Sequence, residues 1–219
     1  MIRLVNKDFQ ANNWRVYIGM IVFIFISYLV TIPPTLIFLL STSAIVFSVY
    51  SHDDKSSVNR FLLSMPIVKK DIVKGRYLYS VTIAIGTVFI QLIMMNIISF
   101  FFETNLYMYT WQDVMTLIGM AGVMIAIFLP ILYLFRSITN AMFFICFLIG
   151  VGTVLLMNEL EHVLPFTNTI VFNDIDAGFV LLVDRYFPTP AYIVLILFSS
   201  LLVYLSLLLS IYLFKQRDV

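Results

Sequence analysis

Charge is scarce in this sequence: 11% of its 219 residues are Asp, Glu, Lys or Arg, while 62% are hydrophobic. Soluble globular chains carry roughly 25% charged and 45 to 50% apolar residues, so a water-soluble domain is excluded as the bulk of the chain. Histidine occurs twice and cysteine once, as Cys146 inside an apolar run. An intrachain disulfide is therefore impossible, and the redox compartment cannot be read from cysteine usage. No GxxxxGK[ST] stretch is present, so the chain does not hydrolyse ATP through a phosphate loop. HExxH and GxSxG patterns are missing as well, which removes the usual zinc and serine-nucleophile chemistries. Glu159, Glu161 and His162 imitate a metal-ligand cluster, but the other histidine, His52, is expected on the opposite side of the membrane. They read as the solvated end of a span. Ionisable residues are also absent from the interiors of the apolar runs, which takes away the usual mark of proton or ion coupling.

What the sequence has in abundance is long apolar runs. A helical span needs about 20 apolar residues, so six spans and their connections nearly use up 219 residues. The expected fold is all-α integral membrane, one transmembrane domain over residues 1–219. An interfacial helix over 2–14, with Ile2, Val5 and Phe9 on one side and Lys7 and Asp8 elsewhere, comes first and ends at Trp14. Spans follow at about 16–32, 34–50, 77–102, 113–135, 138–157 and 190–214. Pro33 and Pro34 mark the first turn, because proline is accepted in the first turn of a new helix. Gly119 and Gly122 permit close helix contact in the fourth span, and Pro130 kinks its end. Residues 158–189 form an extracellular loop whose apolar piece, Phe179 to Val183, is too short to cross. A cleavable signal peptide is not expected, since no small-residue cleavage pattern follows the first apolar run.

Orientation follows from the basic residues. With both termini cytoplasmic, Arg3, Lys7, Arg15, Lys55, Arg60, Lys69, Lys70, Lys74, Arg76, Arg136, Lys215 and Arg217 lie inside and only Arg185 lies outside. The same placement puts Glu103, Asp113, Glu159, Glu161, Asp174, Asp176 and Asp184 outside.

The polar stretch over 52–76 is the one long interruption of the apolar pattern. Within it Val58, Phe61, Leu62 and Met65 fall at i, i+3, i+4 and i+7, one face of a short helix. Pro66 ends that helix. Asp53 and Asp54 stand where carboxylates would cap its start and complement its dipole. An ordinary positive-inside loop resting on anionic lipid is the alternative, each basic residue there contributing about 1 kcal/mol. Gln91 and Asn96 are the strongest polar intrusions into a span. They read first as hydrogen-bonding groups between helices, and with Met95 they are the candidate lining of a substrate path.

Arg60 to Leu78, RFLLSMPIVKKDIVKGRYL, resembles the signature of small bacterial ABC-2 type exporter permeases. The matching features are an apolar-aromatic helix, a Ser-hydrophobe-Pro turn, basic residues, and an I-V-x-G-[KR]-Y entry to the third span. Here these are Ser64, Met65, Pro66, Lys69, Lys70, Ile72, Val73, Gly75, Arg76 and Tyr77. The resemblance extends to the interfacial helix and the six-span layout. It implies two permease subunits, identical or homologous, working with separate ABC ATPase subunits that bind ATP and Mg. The short cytoplasmic helix would dock on the ATPase through Val58, Arg60, Phe61, Leu62, Met65, Pro66 and Lys69. No cofactor would be held by this chain, and no nucleic acid would be a partner; membrane lipid would. The implied activity is export of an amphipathic or hydrophobic substrate, a peptide toxin, antimicrobial peptide, lipid or drug, from a bacterial cell. A membrane scaffold or immunity protein is the alternative, and an intramembrane enzyme a further one.

Overall fold

Each apolar run becomes a helix, because a backbone in hydrocarbon must satisfy its own N–H and C=O groups. The computed structural model describes residues 2–30, 32, 34–55, 68–101, 110–135, 137–163, 185 and 191–216. The helices that can be bounded among the described residues are α1 (Ile2–Ala11), α2 (Trp14–Leu29), α3 (Pro34–Lys55), α4 (Lys69–Phe101), α5 (Trp111–Leu134), α6 (Ile138–Val163) and α7 (Ala191–Gln216). Among the described residues there is no strand. By length and composition, α3, α4, α5 and α7 are long and apolar enough to cross a membrane, while α2 and the 138–152 part of α6 are shorter apolar helices. At 1.5 Å per residue the 16 residues of α2 extend about 24 Å.

Local chemistry sets several ends. The Asn13 side chain caps α2 by accepting from the Arg15 N–H. Pro34 opens α3, as its missing N–H allows. Thr110 and Asp113 form a capping box at the start of α5, each side chain accepting the other's backbone N–H. Hydroxyl groups inside the helices are mostly spent on their own backbone: Ser41 donates to Ile37, Ser80 to Arg76 and Thr87 to Ile83.

Helix α4 is the hub, packing against α1, α2, α3, α5 and α7. The most extensive single contact is between α5 and α7. Glycine makes it possible: a Cβ at Gly119 would stand 2.8 Å from the Leu195 side chain, and one at Gly122 would stand 3.0 Å from Ser199. The two glycines expected to bring helices together do so. Nearby, Pro130 lies inside α5 and has no N–H to give the Ala126 carbonyl. Ser206 of α7 donates to that carbonyl instead, at 2.7 Å. Tyr77 of α4 shares hydrogen bonds with Ser206 and Ser210 at 2.6 and 2.7 Å, so one polar chain ties α4, α5 and α7.

Three expectations change. The two ends of the polar stretch over 52–76 belong to the neighbouring helices, since α3 continues to Lys55 and α4 already begins at Lys69. Its flanks are helical, with Asp71 favourably placed in the first turn of α4. Asp53 does not cap a following helix; it sits buried in the last turn of α3. Finally, helix α6 runs on to Val163, beyond the loop start expected at Asn158. Glu159, Leu160 and Glu161 favour helix, and no Gly or Pro occurs from Asn158 until Pro165. The rest of the 158–189 loop, apart from Arg185, lies outside the described residues.

Candidate functional site

The interfacial helix supplies the first element of the site. Leu4 and Asp8 are four residues apart on one stripe of α1, and Asn12, just past its end at Ala11, continues the same spacing. That stripe faces α4: a Cβ at Gly75 would come within 3.2 Å of Leu4. Phe9 meets the Tyr79 ring edge-on, with centroids 5.0 Å apart. Asn12 donates to the Ile45 carbonyl at 3.3 Å and to the Tyr79 hydroxyl at 3.0 Å. Asp8 is therefore turned inward and buried, where the sequence placed it away from the apolar side of α1. A buried carboxylate needs a cation.

The cation is Arg76. Its side chain is 3% exposed and pairs with Asp53, itself 1% exposed, and with Asp8 at 3.8 Å. Lys7 completes the group, with Nζ 3.1 Å from Asp8 and 3.2 Å from Asp53. Two acids and two bases thus meet where α1, the end of α3 and the start of α4 converge. Asp53 is in the last turn of α3, the negative end of the helix dipole, and needs those cations there. One oxygen of Asp53 and one nitrogen of Arg76 have no hydrogen bond among the described residues, so opposite charge carries much of the attraction. Burial holds the Lys7 ammonium below the ordinary lysine value; Arg76 adds to that effect, and Asp8 opposes it.

Aromatic side chains continue the cluster into the bundle. The Arg76 guanidinium lies 4.4 Å from the centre of the Tyr50 ring, within cation–π range. The Tyr50 hydroxyl donates to that of Tyr133 at 3.5 Å. Tyr133 in turn meets Phe214 edge-on, centroids 5.5 Å apart. A continuous path of contacts therefore joins α1, α3, α4, α5 and the end of α7.

This geometry explains the entry motif of the third span. Ile72, Val73, Gly75, Arg76 and Tyr77 are all buried, whereas Lys70 and Lys74 are exposed. Gly75 admits α1, Arg76 receives the carboxylates, and Tyr77 reaches α7. Of the other proposed coupling residues, Lys69 is partly buried in the first turn of α4. Val58, Arg60, Phe61, Leu62, Met65 and Pro66 lie outside the described residues.

Of the substrate-path candidates, Gln91 and Met95 are one turn apart on the inner face of α4, at 0% and 2% exposure. Asn96 is on an exposed face and donates to the Leu92 carbonyl of its own helix at 2.7 Å. The structure brings together the first two and leaves out the third. Among described residues no group of three or more His, Cys, Asp or Glu could hold a metal ion; the side chains of Glu159, Glu161 and His162 are outside the described set.

Long apolar helices around a polar root define an α-helical membrane protein. The chain belongs to the ABC-2 family of transporter proteins, whose pattern matches residues 3–215. That family provides the membrane component of ABC transporters. No curated protein matches the chain.

Proposed function

We propose that this chain is the permease subunit of an ATP-driven exporter, with six spans, both termini in the cytoplasm, and residues 58–69 as the point of contact with a separate ATPase. The observation that carries this reading is the buried cluster of Lys7, Asp8, Asp53 and Arg76. It fastens the helix that enters segment 56–67 to the helix that leaves it, and both to α1. A push delivered to that segment would be shared by three helices at once and passed through Tyr50 and Tyr133 towards α7. Segregation of twelve of the thirteen Lys and Arg residues supports the orientation.

Two permease subunits, the second identical or homologous, enclose the passage in this reading, and the ATPase subunits bind ATP and Mg. The stretch Arg60 to Leu78 looks like that of a permease of the staphylococcal phenol-soluble modulin exporter. This favours an amphipathic peptide among the hydrophobic substrates. The yielding, methionine-rich helices suit such a cargo.

Affinity purification of the chain from its native membrane tests the assignment. The expected companion is an ATPase carrying a phosphate loop, in stoichiometric amount. A chain that purifies without one, from membranes where the ATPase is present, would favour the scaffold reading. Single-cysteine labelling after replacement of Cys146 tests the orientation: a site near Asp174 should react with an impermeant reagent from outside, and one near Ser57 should not.

A further inference from the structure

Between α4, α5 and α7 the small residues Ala84, Ala121 and Gly122 open a cavity of about 240 Å³. Its back wall cannot collapse, because α5 and α7 already touch there: a Cβ on Gly122 would stand 3.0 Å from Ser199. Its mouth is sideways, at Ile85 and Ser200, both exposed. The polar groups in the wall are occupied, Ser199 donating to the Ile196 carbonyl at 3.0 Å and Ser200 to that of Leu197 at 2.8 Å. What remains is hydrocarbon, from Val81, Ile118, Ile125 and Val203. An apolar cavity of about 150 Å³ stays dry and takes a small apolar ligand. This one is larger and opens to the side.

Its depth identifies the occupant. Its lining runs from Ile118 to Ile125 on α5 and from Ile196 to Val203 on α7, about 10–21 Å and 8–18 Å from the Trp111 and Ala191 ends at 1.5 Å per residue. Half of a hydrocarbon core is about 15 Å, so the cavity begins within the leaflet at the Trp111 end and reaches the middle of the bilayer, the depth that the terminal half of an acyl chain from that leaflet occupies. Trp111 is 57% exposed, as an anchor at headgroup level would be. A ligand bound here needs a bare alkyl portion that enters from the side and a polar portion left at the surface. We propose that the cavity is a binding site for one acyl chain of a phospholipid from that leaflet, held as a wedge between α4 and the α5–α7 pair. The site lies apart from the charge cluster and does not depend on the export reading.

Photolabelling of the full chain in phospholipid bilayers tests it. The probe is a phospholipid with a diazirine midway along one acyl chain, and adducts are mapped by mass spectrometry. Peptides holding Ile85, Ile118 and Ser200 should be labelled at least threefold more than the exposed Phe143 and Phe147 of α6. Ala84→Leu and Ala121→Leu, made separately, should each cut cavity labelling by at least threefold and leave α6 labelling unchanged. The same lipid with its diazirine in the headgroup should not label the cavity. Labelling no stronger than that of α6 in the parent protein would overturn the proposal, and needs no variant to be informative. Labelling undiminished by either filled variant would overturn it too, as would capture of a diazirine-bearing apolar peptide where the lipid probe fails.

Discussion

Replacing Asp53 with Asn keeps the size of the side chain and removes one of the cluster's three buried charges, Asp8, Asp53 and Arg76. Lys7 and Arg76 then face Asp8 alone, and the cluster acquires a net positive charge. Breaking a buried ion pair by deleting one partner costs about 3–5 kcal/mol. Asp8, 3.8 Å from Arg76, and the partly exposed Lys7, 28% accessible, soften the loss, so the lower end, about 3 kcal/mol, is expected. For a chain of this size each kcal/mol moves the melting temperature by about 2–4 °C, giving a drop of about 6–12 °C. The decisive comparison is the double variant Asp53→Asn/Arg76→Met. It restores neutrality, because Lys7 and Asp8 still pair at 3.1 Å, so it should be less damaged than the sum of the single changes by about 1.5 kcal/mol. Thermal unfolding in lipid nanodiscs measures both quantities, and added salt should change neither much, since Asp53 and Arg76 are out of reach of mobile ions. Additivity within about 0.5 kcal/mol, or a parent-like melting temperature for Asp53→Asn, would refute the cluster as a structural unit.

Ser206→Ala should cost about 1–3 kcal/mol, because it strips the Ala126 carbonyl of its replacement donor. Adding Pro130→Ala, which restores an N–H to the helix, should make the serine change much cheaper; equal cost in both backgrounds would disprove the substitution of donor for donor. Lys7 gives a pH signature. Its value is lowered by burial and by Arg76, so between that value and 10.5 the unfolded chain binds a proton that the folded chain lacks. The parent should therefore gain stability relative to Lys7→Met as pH rises through that window, and a difference in melting temperature that falls with pH would contradict the burial of Lys7.

Much of the architecture was legible because hydrocarbon imposes strict rules on a chain. Apolar run length gave the helices to within a few residues at most ends, Pro34 marked a start, and Gly119 and Gly122 marked the closest helix contact. The errors fell where polar residues are buried. Asp53 reads as a helix cap from its neighbours alone, since nothing local reveals that Arg76, 23 positions later, faces it. Asp8 reads as the wet side of an amphipathic helix, although its spacing with Leu4 and Asn12 was a visible sign of a shared stripe. Thr110 and Asp113 carried a capping-box signal that would have moved the start of α5 to Trp111. Tyr50 and Tyr133 carried no such sign, for an aromatic residue at a span end suits an interfacial belt equally well. The entry motif shows the reverse case: Ile72, Val73, Gly75, Arg76 and Tyr77 were identified by resemblance, and packing supplies the physical reason for them.

We propose that force from an ATPase enters through residues 56–67, between α3 and α4. Reconstitution of the chain with its ATPase in sealed vesicles, with ATP hydrolysis and export measured on the same preparation, tests it most directly. Replacing Phe61 and Leu62 together with Ala should leave insertion intact, weaken ATPase binding by about 2 kcal/mol or more, and lower export per ATP hydrolysed even where ATPase is added to saturation. Arg60 and Lys69 variants should chiefly alter association and its salt dependence. A Phe61/Leu62 double variant that binds ATPase and exports at the parental rate would contradict the account and leave the segment as a loop resting on lipid.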